Sequence, residues 1–260
     1  MIFKVKMIEL CKQGIEFKDG YVLKKHDSLE NALLEKNVAL LYSQNHIKKI
    51  YIPKYKGIIH TSQGIYLKIE KIGALSLMGK GDKNINQQLV YDLALFHGLF
   101  SQKGNNLSSS VLYRDAIKSN YLLDKDKLVH IDFSSSNRWV HCFDDLALLL
   151  HPLWSDIKHK EMDKLVSFYI DSRQYFHNQN IINLNDLDNL NIKNSLEDER
   201  RDSYKELIVQ MKDSSLDSSR VEDELNDVDF NNILLENFNT FFKFRTLRGK
   251  YYLNKVWDKR

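Results

Sequence analysis

The chain has 260 residues, enough for one two-lobed domain or two small ones, and its 43% hydrophobic content is sufficient for a packed core. Its formal net charge of only +3 gives no general signature of polyanion binding. The two cysteines, Cys11 and Cys142, suggest no disulfide framework, and no apolar run is long enough to span a bilayer. We therefore expect a cytoplasmic protein without disulfide bonds or transmembrane helices.

Short apolar segments separated by turn signals occupy the first 70 residues and predict antiparallel strands. Residues 3–10 and 15–25 are interpreted as strands, and Asp19–Gly20 is a tight-turn signal within the second of them. A further hairpin is predicted between Ile58–Ile59 and Ile65–Ile69. These segments indicate a small antiparallel sheet at the N-terminal end.

A helix is predicted over residues 28–43, between the two hairpins. Asp27 followed by Glu30 resembles a capping box at the start of this helix. Leucine and valine recur along it and predict an apolar face. That face would be made of Leu29, Leu33, Leu34, Val38, Leu40 and Leu41.

The remainder of the chain is mainly helical by pattern. Amphipathic helices are predicted over residues 86–100 and 161–176, and an acidic cap predicts a further helix at Asp144–Leu150. Residues 183–230 are rich in Asn, Asp, Ser and Glu, and we interpret them as a polar insertion of helices and loops.

Aromatic and basic residues interleave from Phe238 to Arg260. One interpretation is a helix whose aromatic side chains pack on the rest of the protein while its basic groups are solvated. The other is a peripheral surface for anionic lipid or phosphorylated glycolipid, where each basic residue contributes on the order of 1 kcal/mol of binding free energy. Because the clearest basic cluster is confined to this end, nucleic acid is a poor fit as a partner. The candidate basic residues are Arg245, Arg248, Lys250 and Lys255.

The middle of the chain carries a spacing of polar residues that suits phosphoryl transfer. Asp115 is followed by Asn120 five places on, and a predicted hairpin of two short strands brings Asp132 back beside Asn120. Phosphoryl transfer needs one carboxylate to accept a hydroxyl proton and further oxygen ligands to hold Mg²⁺ against the phosphates. Arg114, Asp115 and Asn120 fit the kinase catalytic loop R-D-x-x-x-x-N, and Asp132–Phe133 falls where that pattern has D-F-G.

Several segments together resemble small bacterial kinase-like phosphotransferases. The matching segments are Leu93–His97, Tyr113–Leu123, Val129–Phe133 and Asp145–Leu148. The motifs are most similar to those of lipopolysaccharide core kinases, which phosphorylate heptose or Kdo sugars, and aminoglycoside phosphotransferases share the same framework. The resemblance implies an α+β, two-lobed, protein-kinase-like fold. Residues 1–72 would form a small antiparallel-sheet N-lobe with one helix, and residues 73–260 a mainly helical C-lobe.

The same resemblance implies roles for the polar residues of the central segment. Asp115 would be the catalytic base, and Asn120 and Asp132 would hold Mg²⁺. Asp145 would anchor the backbone of the catalytic loop, whereas a simpler interpretation makes it a helix cap.

For the nucleotide, the resemblance implies contacts in the N-lobe. The segment that ends at Lys24 is similar to the kinase pattern V-A-I-K, so Lys24 would bind the phosphates of ATP and pair with a helix glutamate. Family spacing favours Glu35 as that partner, whereas helical periodicity favours Glu30. Glu70 and Ile72 lie in the segment similar to the kinase hinge, whose backbone contacts adenine.

Several positions depart from the kinase pattern, and they leave more than one function open. No G-x-G-x-x-G loop is present, Ser134 replaces the glycine after Asp-Phe, and Tyr113 replaces the usual histidine. Position 117 is an isoleucine where kinases often have lysine or histidine.

The implied activity is ATP-dependent transfer of the γ-phosphoryl group to a hydroxyl of a sugar or other small acceptor, with a lipopolysaccharide core sugar favoured. The alternatives are a protein kinase, an aminoglycoside- or choline-type small-molecule kinase, and a pseudokinase that only binds its ligands. A glycolipid acceptor would place the protein in peripheral contact with the inner membrane.

Overall fold

A computed structural model describes most of the chain. The described residues are 14–45, 50–73, 75–76, 83–102, 107, 109–124, 127–151, 159–179, 192, 197–212, 219–230 and 233–257. The strand predicted over residues 3–10 lies outside them. An antiparallel sheet with one helix forms the N-terminal part and helices dominate the C-terminal part, which confirms the predicted α+β class.

The strands are β1 (Ile15–Lys18), β2 (Tyr21–His26), β3 (Ile50–Tyr51), β4 (Tyr55–Thr61), β5 (Gly64–Glu70), β6 (Leu75–Ser76), β7 (Ser110–Leu112), β8 (Tyr121–Asp124), β9 (Lys127–His130) and β10 (Trp139–His141). The helices are α1 (Leu29–Asn45), α2 (Lys83–Leu99), α3 (Cys142–Leu150), α4 (His159–Asn178), α5 (Glu197–Lys212), α6 (Ser219–Asn226) and α7 (Leu235–Trp257). One core of buried apolar side chains extends from α1 to α7.

The N-terminal sheet has the strand order β1-β2-β5-β4, and all its pairs are antiparallel. The turn between β1 and β2 is the predicted one, and Gly20 adopts there a φ of 72°, a conformation that favours glycine. Both predicted hairpins are confirmed. Lys24 lies in β2 opposite Leu67 of β5 and Ile15 of β1, so the strand that carries it is paired on both sides.

The capping box predicted at the start of α1, with Asp27 and Glu30, is wrong. Ser28 Oγ accepts the N–H of Asn31 at 3.1 Å, so Ser28 is the capping side chain, while Asp27 and Glu30 are exposed. A serine hydroxyl reaches a first-turn N–H as well as a carboxylate does, and the sequence pattern did not distinguish the two.

The predicted apolar face of α1 is also wrong in part. Leu29, Leu33 and Leu40 are 41%, 40% and 49% exposed. The buried face of the helix is a different one, made of Ala32, Glu35, Val38, Ala39 and Tyr42. The orientation of α1 is therefore decided by its buried polar partners as well as by its apolar residues.

Two small sheets carry the middle of the chain. The first has the order β3-β9-β8-β6, and the hairpin β8–β9 within it confirms the one predicted after Asn120. The second pairs β7 with β10, in the register Trp139 opposite Leu112. Strands of two or three residues are too short to show a period in sequence, and β3, β6, β7 and β10 were not predicted.

The helices of the C-terminal part begin earlier than their sequence patterns indicate. The helix predicted at 86–100 is α2, which starts at Lys83, and the one predicted at 161–176 is α4. The acidic cap predicted for α3 is wrong, because His141 Nδ1 accepts the N–H of Phe143 at 3.2 Å. Asp144 and Asp145 lie inside the first turn of α3, where they serve other partners.

Within the predicted polar insertion, α5 and α6 are helices whose apolar residues join the core, including Tyr204, Ile208 and Leu225. The C-terminal helix α7 likewise packs its aromatic side on the protein, and α3 is its main neighbour. Arg245 of α7 is 6% exposed, so its assignment to a basic surface is wrong. No helix in the described part of the chain combines the length and apolarity of a membrane span.

Candidate active site

Lys24 of β2, Glu35 of α1 and Asp132, two residues after β9, meet in one charged cluster. Lys24 Nζ donates to Glu35 Oε2 at 2.9 Å, to Glu35 Oε1 at 3.1 Å and to Asp132 Oδ1 at 2.6 Å. These side chains come from the sheet, its helix and the hairpin β8–β9. The lysine therefore joins the N-terminal sheet to the segment that carries Asp132.

Glu35 is completely buried and has two further polar neighbours. Tyr55 Oη donates to Glu35 Oε1 at 3.3 Å, and His26 Nε2 lies 3.1 Å from Glu35 Oε2. A buried carboxylate needs compensating donors, and Lys24 and Tyr55 supply them. Of the two glutamates considered as partners of Lys24, the structure pairs Glu35 with the lysine and leaves Glu30 exposed.

Charge pairing outweighs burial at both ends of this cluster. Burial disfavours the charged form of Lys24, but the Glu35 and Asp132 carboxylates raise its pKa above the ordinary value. Burial would likewise raise the pKa of Asp132, yet Lys24 and Ser134 lower it to about 2. Asp132 is therefore ionised at neutral pH and able to bind a cation.

The loop after β7 presents Asp115 in an unusual backbone conformation, with a φ of 55°. Aspartate adopts this left-handed region more readily than most residues other than glycine, and hydrogen bonds of the loop hold it there. Asn120 Nδ2 donates to the Asp115 carbonyl at 2.9 Å, and the Ile117 N–H donates to the same oxygen at 2.7 Å. These bonds fix the loop while the Asp115 side chain stays partly exposed.

Asp145, in the first turn of α3, holds the backbone of this loop. Its Oδ2 accepts the N–H of Arg114 at 2.6 Å, and its Oδ1 accepts the N–H of Ala116 at 3.3 Å. His97 Nε2 lies 3.3 Å from Asp145 Oδ2, and His97 Nδ1 lies 2.6 Å from Tyr169 Oη. Burial lowers the pKa of His97, although Asp145 acts against it, so the imidazole is neutral at pH 7. Asp145 and His97 therefore position the loop.

Arg114 connects the loop with the segment that carries Asp132. Its Nη1 donates to the Asp132 carbonyl at 2.8 Å and its Nη2 to the Ile131 carbonyl at 3.0 Å, while the guanidinium lies 4.5 Å from the centre of the Phe133 ring. Asp132 has a φ of 64°. Ser134 donates to Asp132 Oδ1 through its N–H at 3.1 Å and its hydroxyl at 2.6 Å. The serine that replaces glycine in the D-F-G pattern thus adds a bond that glycine could not make.

The carboxylate of Asp115 is bound by Tyr113, whose hydroxyl donates to Oδ1 at 3.1 Å. Arg245 of α7 reaches the same tyrosine, with Nη2 donating to Tyr113 Oη at 3.4 Å, and its Nε lies 2.6 Å from Asp144 Oδ1. Burial raises the pKa of Asp115 above its ordinary value, and Asp145 does so too, whereas the Tyr113 hydroxyl lowers it. A raised carboxyl pKa is appropriate for a proton acceptor.

Asn120 and Asp132 lie close together at the base of the hairpin β8–β9, where the Ile131 N–H donates to the Asn120 carbonyl at 2.9 Å. Asn120 Nδ2 donates to the Asp115 carbonyl, so of the two amide atoms the oxygen is the candidate metal ligand. One carboxylate and one amide oxygen are the hard donors that Mg²⁺ takes together with phosphate oxygens and water. The donor set fits the Mg²⁺ that the family resemblance implies.

Glu70 and Ile72 lie where β5 ends. The Glu70 carboxylate accepts the Tyr51 hydroxyl and, at 3.0 Å, the Lys54 N–H, and the N–H of Glu70 donates to the Lys54 carbonyl at 2.9 Å. The side chain and the N–H of Glu70 are thus both occupied. Ile72 is half-buried, and its N–H makes no hydrogen bond within the described ranges. Of these two backbone N–H groups, that of Ile72 is the one available to a ligand.

A buried polar network behind the site ties α1 to the hairpin. Asp92 of α2 accepts the hydroxyls of Tyr42 in α1 and Tyr121 in β8, the latter at 3.0 Å, and its Oδ2 lies 2.9 Å from His130 Nδ1 in β9. Burial raises the pKa of both tyrosines and Asp92 acts in the same direction, so they stay protonated donors. The helix that carries Glu35 is therefore held against the hairpin.

Sequence patterns predicted no role in this site for four residues that support it, namely Asp92, His97, Tyr113 and Arg245. His97 belongs to one of the segments that resemble the kinase-like family, and that membership is a signal that could have identified it. Arg245 lies 101 residues from Asp144, and no local pattern connects them.

Comparisons with known proteins found no similar sequence and a general similarity to solved structures. No protein family's sequence profile matches the chain, and no curated protein is significantly similar to it. Among solved structures it is similar to the GDP complex of wild-type aminoglycoside 2'-phosphotransferase-IIIa, with 11% identity, 91% of this chain and 88% of that chain covered, and a TM-score of 0.46. It is also similar to the GDP complex of a mutant of that enzyme, with 12% identity, 92% of this chain and 87% of that chain covered, and a TM-score of 0.45. Similarities of this size do not identify a function, which is inferred below from the geometry of the site.

Proposed function

We propose that this protein is an ATP-dependent phosphotransferase that transfers the γ-phosphoryl group to a hydroxyl of a sugar or another small acceptor. The observation that carries the proposal is the cluster of Lys24, Glu35 and Asp132, with the lysine between the two carboxylates. Arg114, which adjoins Asp115, donates to the carbonyl of Asp132. The same arginine therefore holds the loop of the candidate base against the segment of the candidate metal ligand.

Each residue has a defined task in this proposal. Lys24, oriented by Glu35, binds phosphate oxygens of the nucleotide, and Asp115 accepts the proton of the acceptor hydroxyl. Asp132 and Asn120 would hold Mg²⁺, which when bound neutralises charge on the phosphates. Transfer would form the bond from the acceptor oxygen to the γ-phosphorus and break the bond from that phosphorus to the bridging oxygen, which leaves ADP.

Adenine would contact the backbone where β5 ends. The N–H of Ile72, which makes no hydrogen bond to the described residues, supports this placement. The carbonyl of Glu70 is the second proposed contact, since its N–H and carboxylate are engaged with Lys54 and Tyr51.

For the acceptor, we propose a lipopolysaccharide core sugar, on the resemblance of the motifs. A protein acceptor is disfavoured because 12 residues separate Asp132 from Asp145, and β10 (Trp139–His141) is paired with β7 within that span. Little chain is left for the peptide-docking segment of protein kinases. An aminoglycoside- or choline-type acceptor and a binding-only pseudokinase are distinguished by the assay below.

The deciding experiment follows phosphoryl transfer from labelled ATP to a panel of sugars, glycolipid extract, aminoglycosides, choline and a generic protein. Asp115→Asn should lower kcat by about 10²–10⁴-fold, because the proton acceptor is lost, while Mg·ATP still binds. Asparagine is the suitable replacement because it tolerates the positive φ of this position. Wild-type turnover in Asp115→Asn would contradict the assigned role, and Mg·ATP binding without transfer to any acceptor would favour the pseudokinase.

A lipid-linked acceptor would bring the protein to the inner membrane, and we propose peripheral contact through the end of α7. Lys250 is exposed there, whereas Arg245 is buried and paired with Asp144. Binding to anionic vesicles should be salt-sensitive and be weakened by joint replacement of Arg248, Lys250 and Lys255 with alanine. Equal binding to neutral and anionic vesicles would contradict this contact.

A further inference from the structure

Three arginines lie around the candidate base, and two of them face the protein interior. Arg114 donates to backbone carbonyls and is completely buried, and Arg245 is paired with Asp144. Arg138 differs from both, because it is exposed and forms no ion pair with a carboxylate of the described residues. It is the arginine of the three that a soluble ligand can reach.

Arg138 is held close to the base by Tyr113. Its guanidinium carbon lies 4.3 Å from the centre of the Tyr113 ring, and its carbonyl accepts the Tyr113 N–H at 2.9 Å. The Tyr113 hydroxyl in turn donates to Asp115 at 3.1 Å. One aromatic ring therefore separates the guanidinium from the carboxylate, and Arg138 and Asp115 both reach solvent while Tyr113 is only 5% exposed.

The backbone of Arg138 is held beside Tyr113 at the start of a paired strand. It immediately precedes β10, whose Trp139 is paired with Leu112 directly before Tyr113. A guanidinium over an aromatic ring uses its face for the ring, and its in-plane N–H groups remain available to a planar anion. The site thus presents a hydrogen-bonding cation beside the tyrosine that binds the proton acceptor.

The charges of the site indicate which kind of acceptor such a cation would bind. Asp115 and Asp132 are carboxylates, and both would repel an acceptor that carries a negative group. An anionic acceptor therefore needs a compensating cation on the acceptor side, whereas Lys24 is already bound to Glu35 and Asp132. A polycationic acceptor would instead be repelled by the exposed guanidinium.

We propose that Arg138 is a specificity-determining residue, and that the acceptor is a hydroxyl compound bearing a carboxylate or phosphate group near the reacting hydroxyl. The inference rests on the proposed phosphotransferase function and narrows its acceptor class. The guanidinium binds the anionic group while Asp115 receives the hydroxyl proton. Recognition by planar, two-point hydrogen bonding is the chemistry that arginine supplies to carboxylates and phosphates.

The first test uses acceptors matched in shape and differing in charge, namely glucose with glucose 6-phosphate, galactose with galacturonate, and an aminoglycoside as the cation. In the wild type, kcat/KM should favour the anion over its neutral counterpart by on the order of tenfold to a hundredfold, the range expected for hydrogen bonds to charged groups. Arg138→Gln should remove this preference, Arg138→Lys should keep part of it, and Arg138→Glu should shift it toward the aminoglycoside. A phosphorylated glycolipid in detergent micelles, assayed beside glucose 6-phosphate, distinguishes a lipid-linked source of the anion from a free sugar.

Arg220→Gln is the matched control, because Arg220 is an exposed arginine of α6 whose side chain is 83% accessible. It should leave the anion preference as in the wild type. An equal preference in wild type and Arg138→Gln would overturn the proposal and leave Arg138 only as a cover for the Tyr113 ring.

The second test separates this proposal from the proposed function. Binding of glucose 6-phosphate and galacturonate is measured calorimetrically with the nucleotide site saturated by a non-hydrolysable Mg·ATP analogue, whose three phosphates fill the phosphate subsite near Lys24. Tighter binding of an anion than of its neutral counterpart, lost in Arg138→Gln, supports the anionic subsite even if no acceptor is phosphorylated, in which case the phosphotransferase function alone fails. The proposal is overturned if anionic and neutral probes bind equally to the wild type. It is also overturned if Arg138→Gln binds the anion as tightly as the wild type.

Discussion

Arg245 Nε lies 2.6 Å from Asp144 Oδ1, and the two side chains are 5% and 2% exposed between α7 and α3. Asp144 adjoins Asp145, which holds the backbone of the candidate catalytic loop, and Arg245 also donates to Tyr113. Removing two charges from water is costly, and their mutual pairing offsets that cost. The C-terminal helix is therefore part of the support of the site.

Arg245→Ala should lower the free energy of unfolding by about 3–5 kcal/mol, because it leaves the Asp144 carboxylate buried without its partner. Urea denaturation measures the loss. Arg220→Ala, which removes the exposed partner of Glu224, should cost less than about 1 kcal/mol. The double replacement Arg245→Met with Asp144→Leu should recover most of the stability, and equal losses in Arg245→Ala and Arg220→Ala would contradict a buried pair.

Tyr113→Phe should move the acidic limb of the kcat–pH profile to higher pH. The Tyr113 hydroxyl lowers the pKa of Asp115, which burial and Asp145 raise, so its removal lets that pKa rise further. Since a base must be unprotonated, activity at low pH should fall more than activity at high pH. Tyr175→Phe, at a tyrosine that is 52% exposed, is the control. A uniform loss of activity at every pH would assign Tyr113 a packing role only.

Glu35→Gln and Glu30→Gln compare two glutamates of the same helix. Glu35→Gln should weaken Mg·ATP binding or lower kcat by roughly tenfold to a hundredfold, because Lys24 loses a charged hydrogen-bond partner. Glu30 is exposed, so its replacement should leave both constants as in the wild type. Nucleotide titration and steady-state kinetics measure the difference, and similar effects of the two variants would contradict the role given to Glu35.

Asp132→Asn should remove the dependence of ADP affinity on Mg²⁺. The pKa of Asp132 is lowered to about 2, so the carboxylate is ionised from pH 5 to pH 8 and Mg²⁺ dependence in the wild type should be constant across that range. Titrations of ADP with and without Mg²⁺ check this. Asp124→Asn, at an exposed aspartate of the same hairpin, is the control. Retained Mg²⁺ dependence in Asp132→Asn would place the metal elsewhere.

Local spacing was enough to predict several features of the site region. The hairpin β8–β9 is short and its strands are consecutive, so the sequence predicted that Asp132 returns beside Asn120. The pairing of Lys24 with Glu35 spans only 11 residues from a strand to the next helix, and family spacing indicated it. The hairpin could be predicted from the period of its two strands, whereas the choice of Glu35 came from the family resemblance, since helical periodicity favoured Glu30.

The face that α1 turns inward could not be predicted this way. Leucine spacing favoured a face with Leu29, Leu33 and Leu40, yet these side chains are exposed because burying Glu35 against Lys24 and Tyr42 against Asp92 requires another rotation. A polar residue with its partners is as compatible with the interior as a leucine, but the partners lie on other elements.

The two hairpins of the N-terminal sheet and the order of the candidate polar residues could be predicted from short-range spacing, and the α+β class followed from the family resemblance. The groups that surround the base became evident only from the packing of distant segments. Arg138 reaches Tyr113 from the residue before β10, Arg245 reaches it from the C-terminal helix, and Asp145 and His97 meet at the backbone of the loop. These contacts join segments far apart in the chain, so they arise from packing and the pairing of buried charges, which no local period records.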